Sequence, residues 1–394
     1  MNMRIQPFMF QPHPAYRMQI EVLRRTWPEV VQPVYPVDRI EHARLVGGIT
    51  RAAMIKSALQ LQMQRWNTRD HELGYVSGTF PPALHFLAKS RRVHVDADDP
   101  LSVYVCGGRD QLPGMRFRRY ATAFCDAMKN ETLTLSFWTL AQLKNFVASL
   151  VPDEWEGLFD SGRLCVLPPA IIPNAQPAAI GMGRSLRCLI IANGKFWLKG
   201  VPDAISAVHL LVREGAPIEL TVVGSQLHPE WKAFLKRHSH FHLHGFITRE
   251  ELRALFLQHD VLLFPSHHDT YGWSILEAKS FGLPTIATDF YTRPEIIEHE
   301  RDGLLVPDPF NNPFMPVVPI AYAAPYLRLS AQGDIVVHPL MSGYIDQLKA
   351  AIVRCHTQRE SLMSLGRHAY SNVTGHGKFG LVARQAILSK LVSL

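Results

Sequence analysis

The chain has few cysteines and lacks the long apolar runs of a membrane protein. Its five cysteines are odd in number, scattered and without CxxC spacing, which is typical of reduced thiols in a cytoplasmic protein. No apolar run reaches eighteen residues, so a membrane-spanning helix is not expected. Prolines interrupt the opening MNMRIQPFMFQPHPAYR, where a secretory leader would need an apolar helix. We therefore expect a globular, cytoplasmic protein.

The length and the charge distribution limit the number of domains and the classes of partner. With 394 residues, of which 47% are hydrophobic, the chain is long enough for two domains. Most of the net charge of +7 lies within residues 1–69. The segment Arg44–Arg65 combines basic residues with apolar residues at helical spacing, which predicts either a helix on an anionic membrane or a helix packed on its own sheet. Aromatic residues are not interleaved with these charges, so we expect no nucleic-acid partner.

The most informative stretch runs from Phe264 to Gly282, FPSHHDTYGWSILEAKSFG. The apolar run that ends at Phe264 predicts a buried parallel strand, and the apolar spacing beyond Gly272 predicts a helix that ends near Gly282. A helix that starts at the carboxyl end of a parallel strand can bind an anion with its first amides. Asp269 in the loop and Glu277 in the helix add two carboxylates. Together they suit a ligand with phosphates and hydroxyls, such as a nucleotide sugar.

This stretch resembles the signature of retaining family 4 glycosyltransferases, in which a Glu, seven residues and a second Glu follow Pro-Ser and enclose Phe-Gly. Here Asp269 replaces the first Glu, Tyr271-Gly272 replaces Phe-Gly, and Glu277-Ala278 supplies the second. Three following segments also match: Gly282-Leu-Pro-Thr-Ile-Ala287, Pro294-Glu295-Ile-Ile and Asp302-Gly-Leu-Leu-Val306.

The alternation of strands and helices predicts two doubly wound α/β domains, and the resemblance implies the GT-B arrangement, in which two Rossmann-like domains face a cleft. We expect an acceptor-side domain over 1–175 and a donor-binding domain over 185–377. Pro168 to Arg184 is interpreted as the linker. The last helix, about 378–394, is expected to pack back on the first domain. The proline-rich segment 307–339 has no assigned purpose.

The resemblance also implies the donor-binding residues. Asn193 to Gly200, NGKFWLKG, is similar to the family's Gly-Arg…Lys-Gly element, so Lys195 and Lys199 would hold the diphosphate without a metal. Glu277 would accept hydrogen bonds from the ribose, and Asp269 would face the donor sugar. The full set is Gly194, Lys195, Lys199, Gly224, Phe246, Ile247, Tyr271, Gly272, Trp273, Ser274 and Glu277.

The sequence indicates the acceptor-binding residues less clearly than the donor-binding ones. The family's glycine-rich turn is replaced by Gln11-Pro-His-Pro14, which has no glycine. The predicted strand Arg91–Val95 runs into an acidic turn, so the resemblance implies His94, Asp96, Asp98 and Asp99 as acceptor-side candidates. We predict Asp269, His94 and Asp96 as catalytic, although a solvated acidic turn remains the alternative for this segment.

A metal site is a weaker hypothesis. His238, His240, His242 and His244 alternate, so on a strand they would share one face, and imidazole is a common zinc ligand. The same segment matches the family strand that leads into Gly-Phe, so we predict no metal and no cofactor.

The function implied is retaining transfer of a sugar from a nucleoside diphosphate sugar to a hydroxyl of a glycan or lipid-linked acceptor. It would take place in the cytoplasm or at the inner face of a membrane. A catalytically silent nucleotide-sugar-binding module, a GT-B epimerase and a phosphorylase are alternatives.

Overall fold

A computed structural model of the chain describes residues 4–9, 14–29, 31, 35–36, 72–77, 92–97, 122, 124–148, 150, 152–181, 183–192, 196–310 and 326–393. The chain divides into two compact units. The first comprises Met1–Ile172 and Lys378–Leu394, and the second comprises Pro173–Gly377. The change of unit falls inside the segment rich in proline and glycine that joins them. The predicted helix Arg44–Arg65 lies outside the described residues.

The first unit contains a parallel sheet of six strands in the order β2-β1-β3-β4-β5-β6. Its strands are β1 (Arg4–Met9), β2 (Tyr35–Pro36), β3 (Glu72–Ser77), β4 (Val93–Ala97), β5 (Leu133–Phe137) and β6 (Leu164–Val166). Its first three named helices are α1 (Pro14–Thr26), α2 (Leu140–Val147) and α3 (Pro152–Asp160). The strand predicted at Arg91–Val95 lies two residues later than expected, which moves Asp96 from the following turn into the strand.

The second unit has a parallel sheet in the order β12-β11-β10-β7-β8-β9. Its strands are β7 (Leu186–Ile191), β8 (Ile218–Val223), β9 (Phe241–His244), β10 (Val261–Phe264), β11 (Thr285–Asp289) and β12 (Gly303–Pro307). Counted within the unit, the order is 3-2-1-4-5-6, which is that of the Rossmann fold. The strand order reverses between β7 and β10. The loops that leave these two strands therefore lie side by side.

The helices of the second unit follow its strands closely along the chain. They are α4 (Val201–Arg213), α5 (Pro229–Arg237), α6 (Arg249–Gln258), α7 (Trp273–Ser280), α8 (Arg293–Ile296), α9 (Pro339–Thr357) and α10 (Arg359–Ser371). Thr248 and Glu251 form a capping box at the start of α6, because each side chain accepts a hydrogen bond from the other residue's backbone amide. Sequence reasoning missed the antiparallel hairpin β13 (Leu327–Leu329) and β14 (Ile335–Val337) within the proline-rich segment.

The last helix, α11 (Leu381–Ser393), belongs to the first unit, where Leu388 and Leu391 pack with Leu23 of α1. Its Arg384 is buried and forms an ion pair with the buried Asp96 of β4. The guanidinium also donates to the Tyr75 hydroxyl at 2.9 Å and to the Pro168 carbonyl at 2.7 Å. Tyr75 and Trp138 donate to the same carboxylate, at 2.5 and 2.8 Å. Residues nearly 300 positions apart thus form one buried polar network.

None of the helices within the described residues is both long enough and apolar enough to cross a membrane.

Asp96→Asn and Arg384→Met should each destabilise the first unit by about 3–5 kcal/mol, because each leaves a buried charge without its partner. The two units can unfold separately, so hydrogen exchange of the β4 and β5 amides is the suitable measurement. Arg25→Met, which removes an exposed ion pair with Glu21, is the control and should cost about 1 kcal/mol at most. A loss no larger than in the control would contradict the structural role of the pair.

Candidate functional site

The loops after β7 and β10 are bound to each other. Gly200 has a φ of 64°, and a Cβ at this position would lie 1.8 Å from the Pro265 carbonyl oxygen, so only glycine permits the contact. The Leu198 carbonyl accepts from the His267 amide at 2.9 Å and from the Ser266 hydroxyl at 3.0 Å. The two loops that flank the reversal of strand order are therefore held in a defined geometry. This edge of an open parallel sheet is where ligands bind in such folds.

An ion pair joins the same two loops. Lys199 contacts the carboxylate of Asp269, and the two side chains are 19% and 12% exposed. Burial alone would raise the pKa of Asp269, but Lys199, and further away Arg293, lower it to about 2. Asp269 is thus a carboxylate at any physiological pH. It can accept hydrogen bonds or stabilise positive charge, but it has no proton to donate.

Helix α7 begins directly after this pair. Its N-cap, Gly272, has a φ of 100°, a left-handed conformation that favours glycine. The Tyr271 amide donates to Asp269 at 3.4 Å, and the Thr292 hydroxyl donates to the Tyr271 carbonyl at 2.7 Å. The turn is thus held on both sides. The first amides of the helix, near Trp273 and Ser274, have no acceptor one turn earlier in the helix, so this end can bind an anion.

Glu277 lies in the second turn of α7 and is half-buried. Burial raises its pKa to about 7, while Arg249 and a hydrogen bond with Trp273 oppose the rise. The two carboxylates that the sequence singled out therefore differ in charge. Asp269 is ionised throughout the physiological range, whereas Glu277 exchanges its proton near neutrality.

The other described donor-side candidates follow the carboxyl ends of β8 and β9. A Cβ at Gly224 would lie 2.5 Å from the Ala192 carbonyl oxygen, so this glycine allows the ends of β7 and β8 to approach closely. Phe246, in the turn after β9, is 90% exposed, and Ile247 follows it. Sheet topology thus places these residues along the same edge as Lys199. Gly194 and Lys195 lie outside the described residues.

The acceptor-side candidates are placed differently from the prediction. Asp96 lies inside β4 and is bound to Arg384, so its assignment to an open acidic turn was wrong. His94 is also buried, with its ring nitrogens 2.8 Å from the Thr134 hydroxyl and 3.2 Å from the Ser136 hydroxyl. Burial lowers the pKa of His94 to about 4, so the ring is neutral at pH 7. Both side chains are therefore hydrogen-bonded inside the first unit. Asp98 and Asp99 lie outside the described residues.

The alternating histidines do not form one set. His238 and His240 lie against His209 of α4, with ring centres 4.7 and 5.5 Å away. His242 instead approaches the Glu219 carboxylate at 3.4 Å. Within the part of the chain that the structure describes, no group of three or more His, Cys, Asp and Glu side chains could hold a metal ion.

Sequence reasoning missed Arg293, a buried residue that contacts the loops after β10 and β11. It is fully buried and donates to the carbonyls of Ser266 and Phe290, which follow β10 and β11. The only sequence signal was its place beside the matched Pro294-Glu295. Pattern reasoning treats a lone arginine in a loop as solvated.

The sequence profile of the family described as glycosyl transferases group 1 matches residues 187–312. Residues 187–312 are a glycosyl transferases group 1 domain. They span β7 to the end of β12 and so include the Lys199–Asp269 pair and all of α7. The predicted resemblance to glycosyltransferases of group 1 is therefore confirmed for this part of the chain, whereas the retaining mechanism stays a prediction.

Relatives match the chain over short stretches. A 41.2 kDa protein encoded in the cps region of Klebsiella pneumoniae is 32% identical over 85 residues, which are 22% of this chain and 23% of the relative. The amylovoran biosynthesis glycosyltransferase AmsK of Erwinia amylovora is 30% identical over 153 residues, 36% of this chain and 35% of the relative. The chain thus matches about a third or less of the length of these two relatives.

Solved structures match the whole chain. Anabaena HepE in complex with UDP and glucose has a TM-score of 0.60 at 14% identity, with 100% of both chains covered. WaaG, described as a glycosyltransferase involved in lipopolysaccharide biosynthesis, has a TM-score of 0.57 at 17% identity, with 99% of both chains covered. The chain has the GT-B fold with two Rossmann-like domains, as predicted.

Glu277→Gln should change how stability depends on pH. The pKa of Glu277 is raised from 4.5 to about 7, so its favourable contribution is complete below pH 4.5 and is lost as pH rises through 7. The difference in unfolding free energy between parent and variant should therefore shift by on the order of 2 kcal/mol between pH 5 and pH 8. Denaturant unfolding at several pH values measures it.

The control for this prediction is Glu251→Gln. Hydrogen bonds to Thr248 lower the pKa of Glu251 below 4.5, so its contribution is lost only as pH falls below that value. The difference in unfolding free energy between the parent and Glu251→Gln should therefore stay constant between pH 5 and pH 8. A flat curve for Glu277→Gln as well would mean that Glu277 titrates normally.

Proposed function

We propose that the protein is a glycosyltransferase that moves a sugar from a nucleoside diphosphate sugar to an acceptor hydroxyl with retention of configuration. The observation that carries the proposal is the Lys199–Asp269 pair beside the start of α7, inside the group 1 domain and at the reversal of strand order. A cation and the start of a helix suit a diphosphate, and a carboxylate suits sugar hydroxyls. The solved HepE complexes with UDP and with UDP-glucose support this ligand class.

The leaving diphosphate is the first requirement of such a transfer. Negative charge develops on it as the glycosidic bond breaks, so cationic groups fixed in advance lower the barrier. Lys199 supplies one such charge, and the helix start near Gly272 supplies a partial one. We propose that these groups, with Lys195, hold the diphosphate without a divalent ion.

Asp269 serves the sugar side of the same bond. Its low pKa keeps it ionised, so it accepts hydrogen bonds from sugar hydroxyls and stabilises the positive charge that forms on the ring. With no donor bound, it neutralises Lys199. When a diphosphate is bound, Lys199 shares its charge with the phosphates, and Asp269 becomes available to the sugar. Asp269 is one methylene shorter than the Glu of the family signature.

Glu277 holds the ribose hydroxyls in this proposal. An ionised carboxylate is the stronger acceptor, so donor binding favours loss of the Glu277 proton. Because its pKa is about 7 without a ligand, donor affinity should rise as pH increases from 6 to 8. Phe246 and Ile247, after β9, lie where the base would meet the sheet edge.

The acceptor is a further proposal. The resemblance to a biosynthetic enzyme of the polysaccharide amylovoran supports a glycan or lipid-linked acceptor. We propose that the reaction takes place in the cytoplasm, with the basic segment Arg44–Arg65 as the contact to an anionic membrane. The replacement of Glu by Asp269 favours one alternative, a catalytically silent nucleotide-sugar-binding module.

The function is tested by kinetics of the two carboxylate variants, after a panel of nucleotide sugars has identified the donor by thermal shift. Asp269→Asn should lower kcat and leave donor KM nearly unchanged, because its role arises in the transition state. Glu277→Gln should raise donor KM about ten- to a hundredfold at pH 8, the range for losing a hydrogen bond to a charged group.

The conservative variant Asp269→Glu should retain activity, since it restores the residue of the family signature. A parent that binds a nucleotide sugar but transfers nothing to any acceptor would favour the silent module. Unchanged kcat in Asp269→Asn would refute the role given to Asp269.

Activity should persist in excess EDTA, because lysines and helix amides supply the positive charge at the diphosphate. Transfer is measured before and after chelation, with manganese or magnesium added back. Complete loss in EDTA with recovery on adding metal would show that a divalent ion completes the site.

A further inference from the structure

Arg293 is a buried cation without an ion-pair partner in the part of the chain that the structure describes. Its guanidinium donates to two backbone carbonyls, those of Phe290 at 3.0 Å and of Ser266. Its Nε has no hydrogen-bond partner among the described residues. By contrast, the buried Lys279 of the same unit contacts the Asp302 carboxylate, and the buried Arg384 contacts Asp96.

The charge on Arg293 faces the candidate site. Its guanidinium carbon lies 5.7 Å from the centre of the Phe264 ring, and the Lys199 ammonium lies 5.5 Å from the centre of the same ring. Phe264 is the last residue of β10, so both cations lie at the carboxyl end of this strand, at most about 11 Å apart. Among the described residues, the ion-pair partner of Asp269 is Lys199. Arg293 therefore adds a second positive charge at this end of β10.

Arg293 remains protonated despite its burial. Burial lowers its pKa to about 10, while the surrounding acidic groups, namely Asp269, Tyr344, Asp308 and Tyr291, raise it. Removing a charge from water costs several kcal/mol, and carbonyl dipoles and aromatic rings offset only part of this cost. A bound anion near the same end of β10 would offset more.

We infer that Arg293 is a positioning residue of the proposed donor site. It joins the loops after β10 and β11 through the Ser266 and Phe290 carbonyls, and it supplies a second positive charge that favours a diphosphate beside Lys199. This inference rests on the proposed function and adds to it a residue that does not itself contact the ligand, because its side chain is fully buried. A charge at this depth is screened little by salt.

The test separates charge from structure by comparing ligands that differ only in phosphates. Uridine, UMP and UDP, with the adenosine and guanosine series beside them, are titrated against the parent, Arg293→Lys and Arg293→Met by calorimetry. The series that the parent binds most tightly is used. Arg293→Met should weaken diphosphate binding about tenfold, monophosphate binding less, and nucleoside binding by less than about twofold. Arg293→Lys keeps the charge and should remain within about threefold of the parent for all three.

Lys279→Met is the matched control. It also removes a fully buried cation from the second unit, but one that a carboxylate already neutralises. Its melting temperature should fall, while the ratio of diphosphate to nucleoside affinity should stay that of the parent. If Arg293→Met does not fold, Arg293→Gln, which can still donate to a carbonyl, tests the charge.

Two results would overturn the inference. Equal losses for diphosphate and nucleoside in Arg293→Met would make the residue purely structural, and unchanged diphosphate affinity would remove its role altogether. Either result leaves the proposed function standing, since the parent would still bind the diphosphate. A parent that binds no nucleoside diphosphate of the panel would instead refute the proposed function, and the inference with it.

Discussion

The adjacency of β7 and β10 is the constraint on which the candidate site depends. Parallel pairing of these strands brings two loops about seventy residues apart in sequence to one edge of the sheet. Bonds to the Leu198 carbonyl and the close contact at Gly200 then fix the loops against each other. Only in this arrangement can Lys199 reach Asp269. The helix start at Gly272 completes a place where negative charge is favoured.

Two ion pairs illustrate how burial decides the use of a carboxylate. Asp96 and Arg384 are both fully buried, and the remaining acceptor capacity of the carboxylate is filled by Tyr75 and Trp138. This pair is closed to any ligand, and it ties α11 to the sheet of the first unit. Lys199 and Asp269 retain some exposure, so a ligand can take part in their interaction. The same chemistry therefore has a structural use in one unit and is open to ligands in the other.

The charges around the start of α7 give Asp269 and Glu277 different protonation behaviour. Lys199 and Arg293 hold Asp269 in its ionised form, whereas burial keeps Glu277 close to the point of protonation at neutral pH. Ionisation of Glu277 can therefore accompany binding, while the charge of Asp269 is present beforehand. The two cations near Phe264, Lys199 and Arg293, favour an anion at this end of β10.

The sequence by itself determined much of the second unit, because apolar runs and turn residues act locally. The strand Val261–Phe264 and the helix after Gly272 occur as predicted. Tertiary structure alone decided whether a polar side chain faces a ligand or the interior. The sequence pattern placed Asp96 in a turn that was either solvated or directed at a ligand. In the structure Asp96 is buried and paired with Arg384, which lies 288 residues later in the chain. Arg293 looked like an ordinary loop arginine, since burial depends on neighbours that no local pattern records.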